Sequence, residues 1–343
     1  MGRQRSGLNP ERLTEAMTLI SIIVPVFNEQ DNVERTYGEL KRVTEALDGY
    51  EFEFLFTDNH STDRTFEILS AIATRDPAVK VVRFARNFGF QKSVITGYRL
   101  AQGEATIQID ADLQDPPTMF GSMLEKWREG YDVVVGVRRQ RIENPMLAGL
   151  RKIYYRILSR LGGVHLIVDA GDFRLIDASV IDKLRQVDDA HPYLRGLVSS
   201  LARRQIGISY DRSERLGGRS KFPVTRLVAL ALDGFIAHSS LPLRLAFYIG
   251  FLLASISALL AFAFIFARLV VGQDWPAGFA TTQVLLLFGI GLNSMFLGII
   301  GVYVGRIYDQ VRRRPATVIE QALNFTQDIP EIERRSAWRS DFR

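Results

Sequence analysis

The chain of 343 residues contains no cysteine and only four histidines. The absence of cysteine excludes both a disulfide framework and a thiolate metal site. The histidines are scattered and form no HExxH-type ligand set. No GxGxxG motif follows the first predicted strand, and GxxxxGK[ST] is missing altogether. A dinucleotide-binding domain and a P-loop are therefore excluded, and a metal would have to neutralise any bound phosphates.

Charge is missing from two long stretches, residues 245–267 and 275–305. About 20 apolar residues suffice for a helix to cross a hydrocarbon core of about 30 Å. We therefore predict a transmembrane hairpin with spans at 244–271 and 281–305, preceded by an interfacial amphipathic helix at 224–243. Arginines flank the outer ends of this pair, whereas the connection between the spans carries only Asp274. The positive-inside rule predicts a multi-pass protein of the cell inner membrane, with the catalytic domain and both termini in the cytoplasm.

The remaining chain divides into a polar leader at 1–18, a cytoplasmic domain at 19–223 and a C-terminal tail at 306–343. The leader has no apolar region of the kind found in signal peptides. In the domain, apolar strands alternate with amphipathic helices. The strands are predicted at 19–27, 51–56, 79–85, 105–110 and 132–137, and the helices at 30–47, 63–75, 90–102 and 117–129. This alternation predicts an open α/β sheet of parallel strands that binds its ligand at their carboxyl ends.

The stretch ATIQIDADLQDPP, residues 105–117, leads from a predicted strand into a group of acids and amides. Asp110 and Asp112 are two residues apart, so their side chains point the same way at a strand end and repel each other. A divalent cation with a preference for hard oxygen ligands, Mg²⁺ or Mn²⁺, would remove that repulsion. A helix entry with an acidic N-cap explains the stretch equally well, since DPP commonly starts a helix.

Six segments in order carry a resemblance: IIVPVFNEQDNV, FTDNHSTDRT, RNFGFQKSVITGY, IDADLQDPP, DAGDFRLID and RLGGRSKFP. Together they resemble the polyprenyl-phosphate glycosyltransferases of glycosyltransferase family 2, which have the GT-A fold. That group contains bactoprenol glucosyltransferases and dolichol-phosphate mannose synthases. One departure is that Asp58-Asn59 stands where the family commonly has two adjacent acids, and His60 replaces a small residue.

The resemblance assigns roles to individual residues. It implies that the donor nucleotide sugar is bound by Pro25, Phe27, Glu29, Asp58 and Asp110, and that the metal is held by Asp110, Asp112 and Gln114. Packing of a strand end in the core is the alternative for Phe27. Asp172 is the candidate acid facing the acceptor, either as a base or as an orienting group, and Asp112 shares the catalytic role through the metal. The implied reaction is a single inverting displacement at the anomeric carbon.

An acceptor phosphate requires cations, and Arg has a forked donor group that matches phosphate oxygens. The candidates are Arg138, Arg151, Arg215 and Lys221, the last two within RLGGRSK. Attraction of these cations to anionic lipid, worth about 1 kcal/mol per charge, is the alternative.

The expected function is transfer of glucose from UDP-glucose to undecaprenyl or another polyprenyl phosphate for cell-envelope glycan modification. Other donors, namely GDP-mannose, UDP-N-acetylglucosamine or a UDP-amino-arabinose derivative, remain open. A processive synthase is disfavoured because the QxxRW motif is absent. An inactive lipid-binding scaffold is disfavoured by the intact DADLQ motif. The expected partners are donor, polyprenyl phosphate and membrane lipids, with no nucleic acid and with a homo-oligomer through the GxxxG at 301–305 as one option.

Overall fold

A computed structural model describes residues 17–139, 167, 170–189, 192–211, 243, 246–252, 255, 256, 259, 266, 270, 278–312 and 315–325. These residues belong to two compact units. The first contains the described residues up to 211 together with 315–325, and the second contains those from 243 to 312.

The first unit contains eight strands and six α-helices among its described residues. The strands are β1 (Thr18–Val26), β2 (Tyr50–Asp58), β3 (Val79–Phe84), β4 (Ala105–Gln108), β5 (Val133–Arg138), β6 (Ala170–Asp177), β7 (Gln205–Tyr210) and β8 (Ile319–Leu323). The helices are α1 (Val33–Thr44), α2 (Thr65–Arg75), α3 (Phe90–Leu100), α4 (Phe120–Arg128), α5 (Ala178–Gln186) and α6 (Leu194–Leu201).

The central strands form where the sequence is continuously apolar. Ile20, Ile22, Ile23 and Val24 of β1 are fully buried on both faces of the sheet, as expected for a strand covered by helices on either side. Helix α3 packs so close to β1 that a Cβ atom added at Gly97 would lie only 2.6 Å from Ile23 Cγ2. Helices on both faces therefore hold β1, β2 and β4 firmly in place.

The strand order is β7-β5-β6-β4-β1-β2-β3-β8. Strands β1 to β4 are parallel, as predicted. Strand β5 runs in the same direction as these four, but the sheet as a whole is mixed, because two strands that the sequence did not predict are antiparallel: β6 between β4 and β5, and β8 against β3. An antiparallel strand begins at the edge where its parallel neighbours end. The start of β6 therefore lies at the carboxyl edge of β4.

The second unit contains α7 (Phe279–Val311), a helix of 33 residues. Many of its large apolar side chains are exposed, including Leu285, Ile290, Leu297, Val304 and Ile307. In the part of the chain that the structure describes, no helix combines the length and the hydropathy of a membrane span. Most of the first predicted span lies outside the described residues.

Candidate functional site

The loops that follow β1 and β2 are joined by hydrogen bonds at the carboxyl edge of the sheet. The backbone N–H of Asn28 donates to Ser61 Oγ at 3.0 Å. The side-chain oxygen Oδ1 of Asn28 accepts from the backbone N–H of Thr62 at 2.8 Å. The N–H of Glu29 donates to Thr65 Oγ1 at 2.8 Å. Asn28 has a φ of 56°, a left-handed conformation that Asn adopts more readily than most residues. The two loops therefore form one fixed rim.

Asp58 is the last residue of β2 and is completely buried. Its Oδ1 accepts from Ser61 Oγ at 2.5 Å and from the Ser61 N–H at 3.0 Å. Its Oδ2 lies 3.8 Å from Arg83 Nε and has no hydrogen-bond partner among the residues that the structure describes. Burial raises the pKa of Asp58, and the bonds from Ser61 and the charge of Arg83 oppose this rise only in part. Asp58 Oδ2 is thus a buried acceptor that lacks a hydrogen-bond donor within the described part of the chain.

Asn59, the departure from the usual pair of acids, has a role in the structure. Its Nδ2 donates to Asn87 Oδ1 at 3.0 Å, while its Oδ1 accepts from the N–H of Phe88 at 2.8 Å. An aspartate could accept the second bond but could not donate the first. The amide therefore fixes the loop between β3 and α3.

The other predicted donor-binding residues lie around the same rim. Pro25 is half-buried in β1, opposite Thr57. The side chain of Phe27 is 44% exposed, so its alternative role as a core residue is wrong. Glu29 is half-buried and accepts from Asn32 Nδ2 at 2.6 Å.

The loop that carries Asp110, Asp112 and Gln114 follows β4. All three side chains are half-buried. Asp112 Oδ1 accepts from the N–H of Gln114 at 3.1 Å, across a turn in which Leu113 has a φ of 52°. Thr36 Oγ1 donates to the carbonyl of Ala111 at 2.6 Å, which ties the loop to α1. The loop is thus held in place by its own turn and by a helix.

The interpretation of this stretch as an acidic helix cap does not agree with the structure. The short 3₁₀-helix Pro117–Met119 has Pro116 at its N-cap, and no side chain caps it. The buried carboxylate of Asp115 instead accepts a hydrogen bond from the hydroxyl of Tyr210 at the end of β7. Arg138 Nη2 lies 3.9 Å from Asp115 Oδ1. Asp115 therefore links the loop after β4 to β5 and β7.

Asp172 lies at the start of β6, near Asp110. Gln108 and Arg174 form the last pair of the β4–β6 ladder, so Asp110, just after β4, and Asp172, two residues before Arg174, lie at the same edge of the sheet. Arg195 donates to the two Asp172 oxygens at 2.9 and 2.7 Å, and Arg174 Nη2 donates at 3.1 Å. Burial alone would raise the pKa of Asp172, but Arg195, followed by Arg174 and Arg138, outweighs it and lowers that pKa. Asp172 is therefore held as a carboxylate between arginines.

Helix α6 supplies Arg195 from its first turn, packs against α5 and is joined to α3 by a hydrogen bond. The N–H of Leu194 donates to Gln91 Oε1 at 3.2 Å, while Leu194 and Val198 are buried in the core. The end of the RNFGFQK segment, at the start of α3, thus contacts the residue next to Arg195.

A family model described as "Glycosyl transferase family 2" matches residues 21–185. The uncharacterized glycosyltransferase YkcC of Bacillus subtilis is 38% identical, over 88% of this chain and 93% of its own. The SfII prophage-derived bactoprenol glucosyl transferase of Shigella flexneri is 35% identical, over 88% of this chain and 98% of its own. The chain belongs to glycosyl transferase family 2.

Membership of the family confirms the resemblance in the sequence and the prediction of an enzyme, a glycosyltransferase with a relative named as a bactoprenol glucosyl transferase. The mixed α/β sheet is consistent with the GT-A fold. Among solved structures, glucosyl-3-phosphoglycerate synthase of Mycobacterium tuberculosis is 21% identical with a TM-score of 0.45, covering 67% of this chain and 82% of that one.

The predicted phosphate-binding cations of this glycosyltransferase fall only partly within the described residues. Arg138 ends β5, and its Nε lies 3.5 Å from the hydroxyl of Tyr210. Arg151, Arg215 and Lys221 lie outside the described residues, and their role stays a prediction. Within the described ranges, no three His, Cys, Asp or Glu side chains form a metal-binding group.

Three residues at this edge are not predicted from the sequence: Arg83, Arg174 and Arg195. Arg83 and Arg174 each lie in a strand between two buried apolar neighbours, and a cation in such a position is a usable signal. Arg195 has no comparable signal, because only the fold brings α6 next to β6.

Proposed function

We propose that this glycosyltransferase moves a hexose, with glucose from UDP-glucose as the preferred donor, to undecaprenyl or another polyprenyl phosphate. The observation that carries the proposal is the convergence of Asp58, the Asp110–Gln114 loop and the start of β6 at one edge of the sheet. The Shigella flexneri relative, named as a bactoprenol glucosyl transferase, aligns over nearly its whole length and supports the choice of sugar and acceptor.

The buried acceptor at Asp58 supports a uracil or guanine nucleotide. Asp58 Oδ2 can accept a hydrogen bond, and as a carboxylate it has none to donate. Uracil and guanine present a ring N–H on their pairing edge, whereas adenine and cytosine present an unprotonated ring nitrogen there. UDP-glucose meets this requirement, as do the alternative donors GDP-mannose, UDP-N-acetylglucosamine and a UDP-amino-arabinose derivative.

The loop after β4 fits a divalent cation, Mg²⁺ or Mn²⁺. Asp110, Asp112 and Gln114 offer hard oxygen ligands on a turn fixed by Asp112 itself. Mg²⁺ is usually bound through one or two carboxylates together with substrate phosphates, so a third acidic side chain is not needed. When bound, the cation would offset the negative charge that develops on the departing diphosphate.

Asp172 is better suited to orienting the sugar through its hydroxyl groups than to removing a proton from the acceptor. A phosphate monoester has a second pKa of about 6, so much of the acceptor is already a dianion at neutral pH. One acceptor oxygen forms a bond to the anomeric carbon as the bond from that carbon to the diphosphate breaks, and no proton has to move. Asp172, ionised and held by Arg195 and Arg174, accepts hydrogen bonds from sugar hydroxyls.

Placement at the inner membrane, with the catalytic domain and both termini in the cytoplasm, is part of the same proposal. Two charge-free stretches and the exposed apolar side chains of α7 support it. Because the chain has no cysteine, a single introduced cysteine reports its own location. An impermeant maleimide should label Gln273→Cys in intact cells, and Asp48→Cys only after permeabilisation. Labelling of Asp48→Cys in intact cells would contradict the orientation.

The test of the reaction is a donor screen with the purified full-length protein and undecaprenyl phosphate. We expect a glucosyl lipid with inverted anomeric configuration from UDP-glucose, dependent on Mg²⁺ or Mn²⁺. Asp112→Asn is the matched inactive control. Transfer from only GDP-mannose or another donor would revise the sugar, and a lack of lipid product with every donor would contradict the proposed acceptor.

A further inference from the structure

Strand β8 closes one end of the sheet and contains an extra residue. Val82 pairs with Ala322 and Arg83 with Gln321, but Phe84 pairs with Ile319. Glu320 is therefore inserted between two pairs, as in a β-bulge. Bulges are frequent next to functional sites, where they turn a side chain in a new direction.

The inserted Glu320 faces two residues beside the buried acceptor Asp58. Its Oε2 lies 3.6 Å from Arg83 Nε and 3.6 Å from His60 Nδ1. His60 is itself held by a contact of 2.9 Å between Nδ1 and the carbonyl of Phe84. Glu320 thus belongs to the wall that surrounds Asp58.

Arg83 lies between two carboxylates and forms a hydrogen bond with neither. Its Nε is 3.8 Å from Asp58 Oδ2 and 3.6 Å from Glu320 Oε2, and Nε has no hydrogen-bond partner among the described residues. Its guanidinium stacks on the ring of Phe66 at 4.6 Å, and its Nη2 donates weakly to the carbonyl of Ser61 at 3.4 Å. The guanidinium is therefore shared between Asp58 and Glu320.

The ends of β8 are fixed, so the position of Glu320 is well defined. Before the strand, the buried Thr317 Oγ1 lies 2.9 Å from Thr96 Oγ1, and Val318 accepts from the N–H of Ala85 at 2.9 Å. After it, Asn324 Nδ2 donates to the carbonyl oxygens of Ala73 at 2.7 Å and Val79 at 2.8 Å.

We propose that Glu320 is a positioning residue for the donor nucleotide. Its carboxylate draws Arg83 away from Asp58 and so keeps Asp58 Oδ2 open to accept the ring N–H of the base. Without the charge of Glu320, Arg83 closes onto Asp58 and occupies that acceptor. The inference rests on the proposed function, in which Asp58 contacts the nucleotide base, and adds a residue that follows the predicted membrane segments in the sequence.

The test is calorimetric titration of the full-length protein with UDP in the presence of Mn²⁺, together with steady-state kinetics. For Glu320→Gln we expect the UDP dissociation constant and the donor KM to rise about fivefold, the scale of a partly exposed ion pair. The acceptor KM, kcat and the thermal midpoint should not change. Gln321→Ala, on the same strand, is the control and should match the wild type.

UDP binding by the Asp58 and Glu320 variants distinguishes a failure of the proposed role of Asp58 from a failure of the proposed role of Glu320. If the wild type binds UDP and Asp58→Asn does not weaken it, the proposed role of Asp58 fails. If Asp58→Asn weakens binding but Glu320→Gln does not, the role of Glu320 alone is overturned. Arg83→Gln combined with Glu320→Gln completes a double-mutant cycle. Binding losses that add would also overturn the proposal, because Glu320 is inferred to act through Arg83.

Discussion

The ion pair between Asp172 and Arg195 allows the proposed orienting role to be tested directly. Arg195 makes two of the three charge-assisted hydrogen bonds to Asp172, at 2.9 and 2.7 Å, and Arg174 makes the third. Arg195→Gln removes the charge and the forked geometry but keeps a polar side chain of moderate size. We expect kcat to fall because the Asp172 oxygens are no longer held toward the sugar.

The size of the effect follows from the exposure of the pair. Removing one member of a fully buried pair costs about 3–5 kcal/mol, and one hydrogen bond to a charged group contributes about 1.5–3 kcal/mol. Here the Arg195 side chain is 35% exposed and the Asp172 side chain 18%, so solvent screens the interaction. Arg174 also remains. We expect a loss of about 1.4–2 kcal/mol in transition-state stabilisation, or about 10- to 30-fold in kcat.

The pH dependence of the variant provides a second measure. In the wild type the pKa of Asp172 is lowered, so its contribution is present above the unfolded-state pKa and is lost as the pH falls through the folded-state value. In Arg195→Gln, burial meets less opposition and the pKa of Asp172 rises. The acid limb of the kcat profile should therefore move to higher pH.

The assay is initial-rate measurement at saturating donor and acceptor, from acidic to neutral pH. Arg203→Gln, an exposed arginine just after α6, is the control for loss of one positive charge. If Arg195→Gln keeps the wild-type kcat and the wild-type acid limb, Arg195 does not position Asp172 and the reasoning is refuted.

Three further predictions concern other residues. Asp112→Asn should abolish metal-dependent turnover without changing the thermal midpoint, and near-full rate at saturating Mg²⁺ would show that Asp112 is not a ligand. Tyr210→Phe removes one hydrogen bond to the buried carboxylate of Asp115 and should lower the free energy of unfolding by about 1–3 kcal/mol in equilibrium denaturation; no change would mean that this hydrogen bond is not stabilising. If Arg215 binds the lipid phosphate, Arg215→Ala should raise the acceptor KM about 10- to 100-fold in neutral detergent. An unchanged KM would mean that Arg215 only attracts the protein to anionic lipid.

The local pattern of apolar residues is enough to predict the central parallel strands of the sheet. The apolar runs before Phe27, Asp58 and Asp110 predict β1, β2 and β4, and the parallel arrangement then places the residues that follow them at one edge. These predictions succeed because burial on both faces of a parallel sheet leaves a continuous apolar signature.

The rest of the edge depends on contacts between distant segments. The direction of β6 follows from its place between β4 and β5, and no local pattern in DAGDFRLID gives that direction. Arg195 comes to Asp172 through the packing of α6 against α5 and the hydrogen bond from Leu194 to Gln91 of α3. The role of Asn59 depends on Asn87 and Phe88, so the sequence showed a lost charge where the structure shows two hydrogen bonds.

Strand β8 follows α7 in the sequence, and this order affects both how the sheet forms during synthesis and where the chain can be truncated. During synthesis, the outer edge of β3 stays unpaired until residues 319–323 emerge, which happens only after all of α7 has been translated. An open edge of this kind offers its backbone N–H and C=O groups to other chains and favours aggregation. A fragment that ends before residue 315 keeps this open edge permanently. A shortened chain for crystallisation should therefore carry residues 315–325 on a linker.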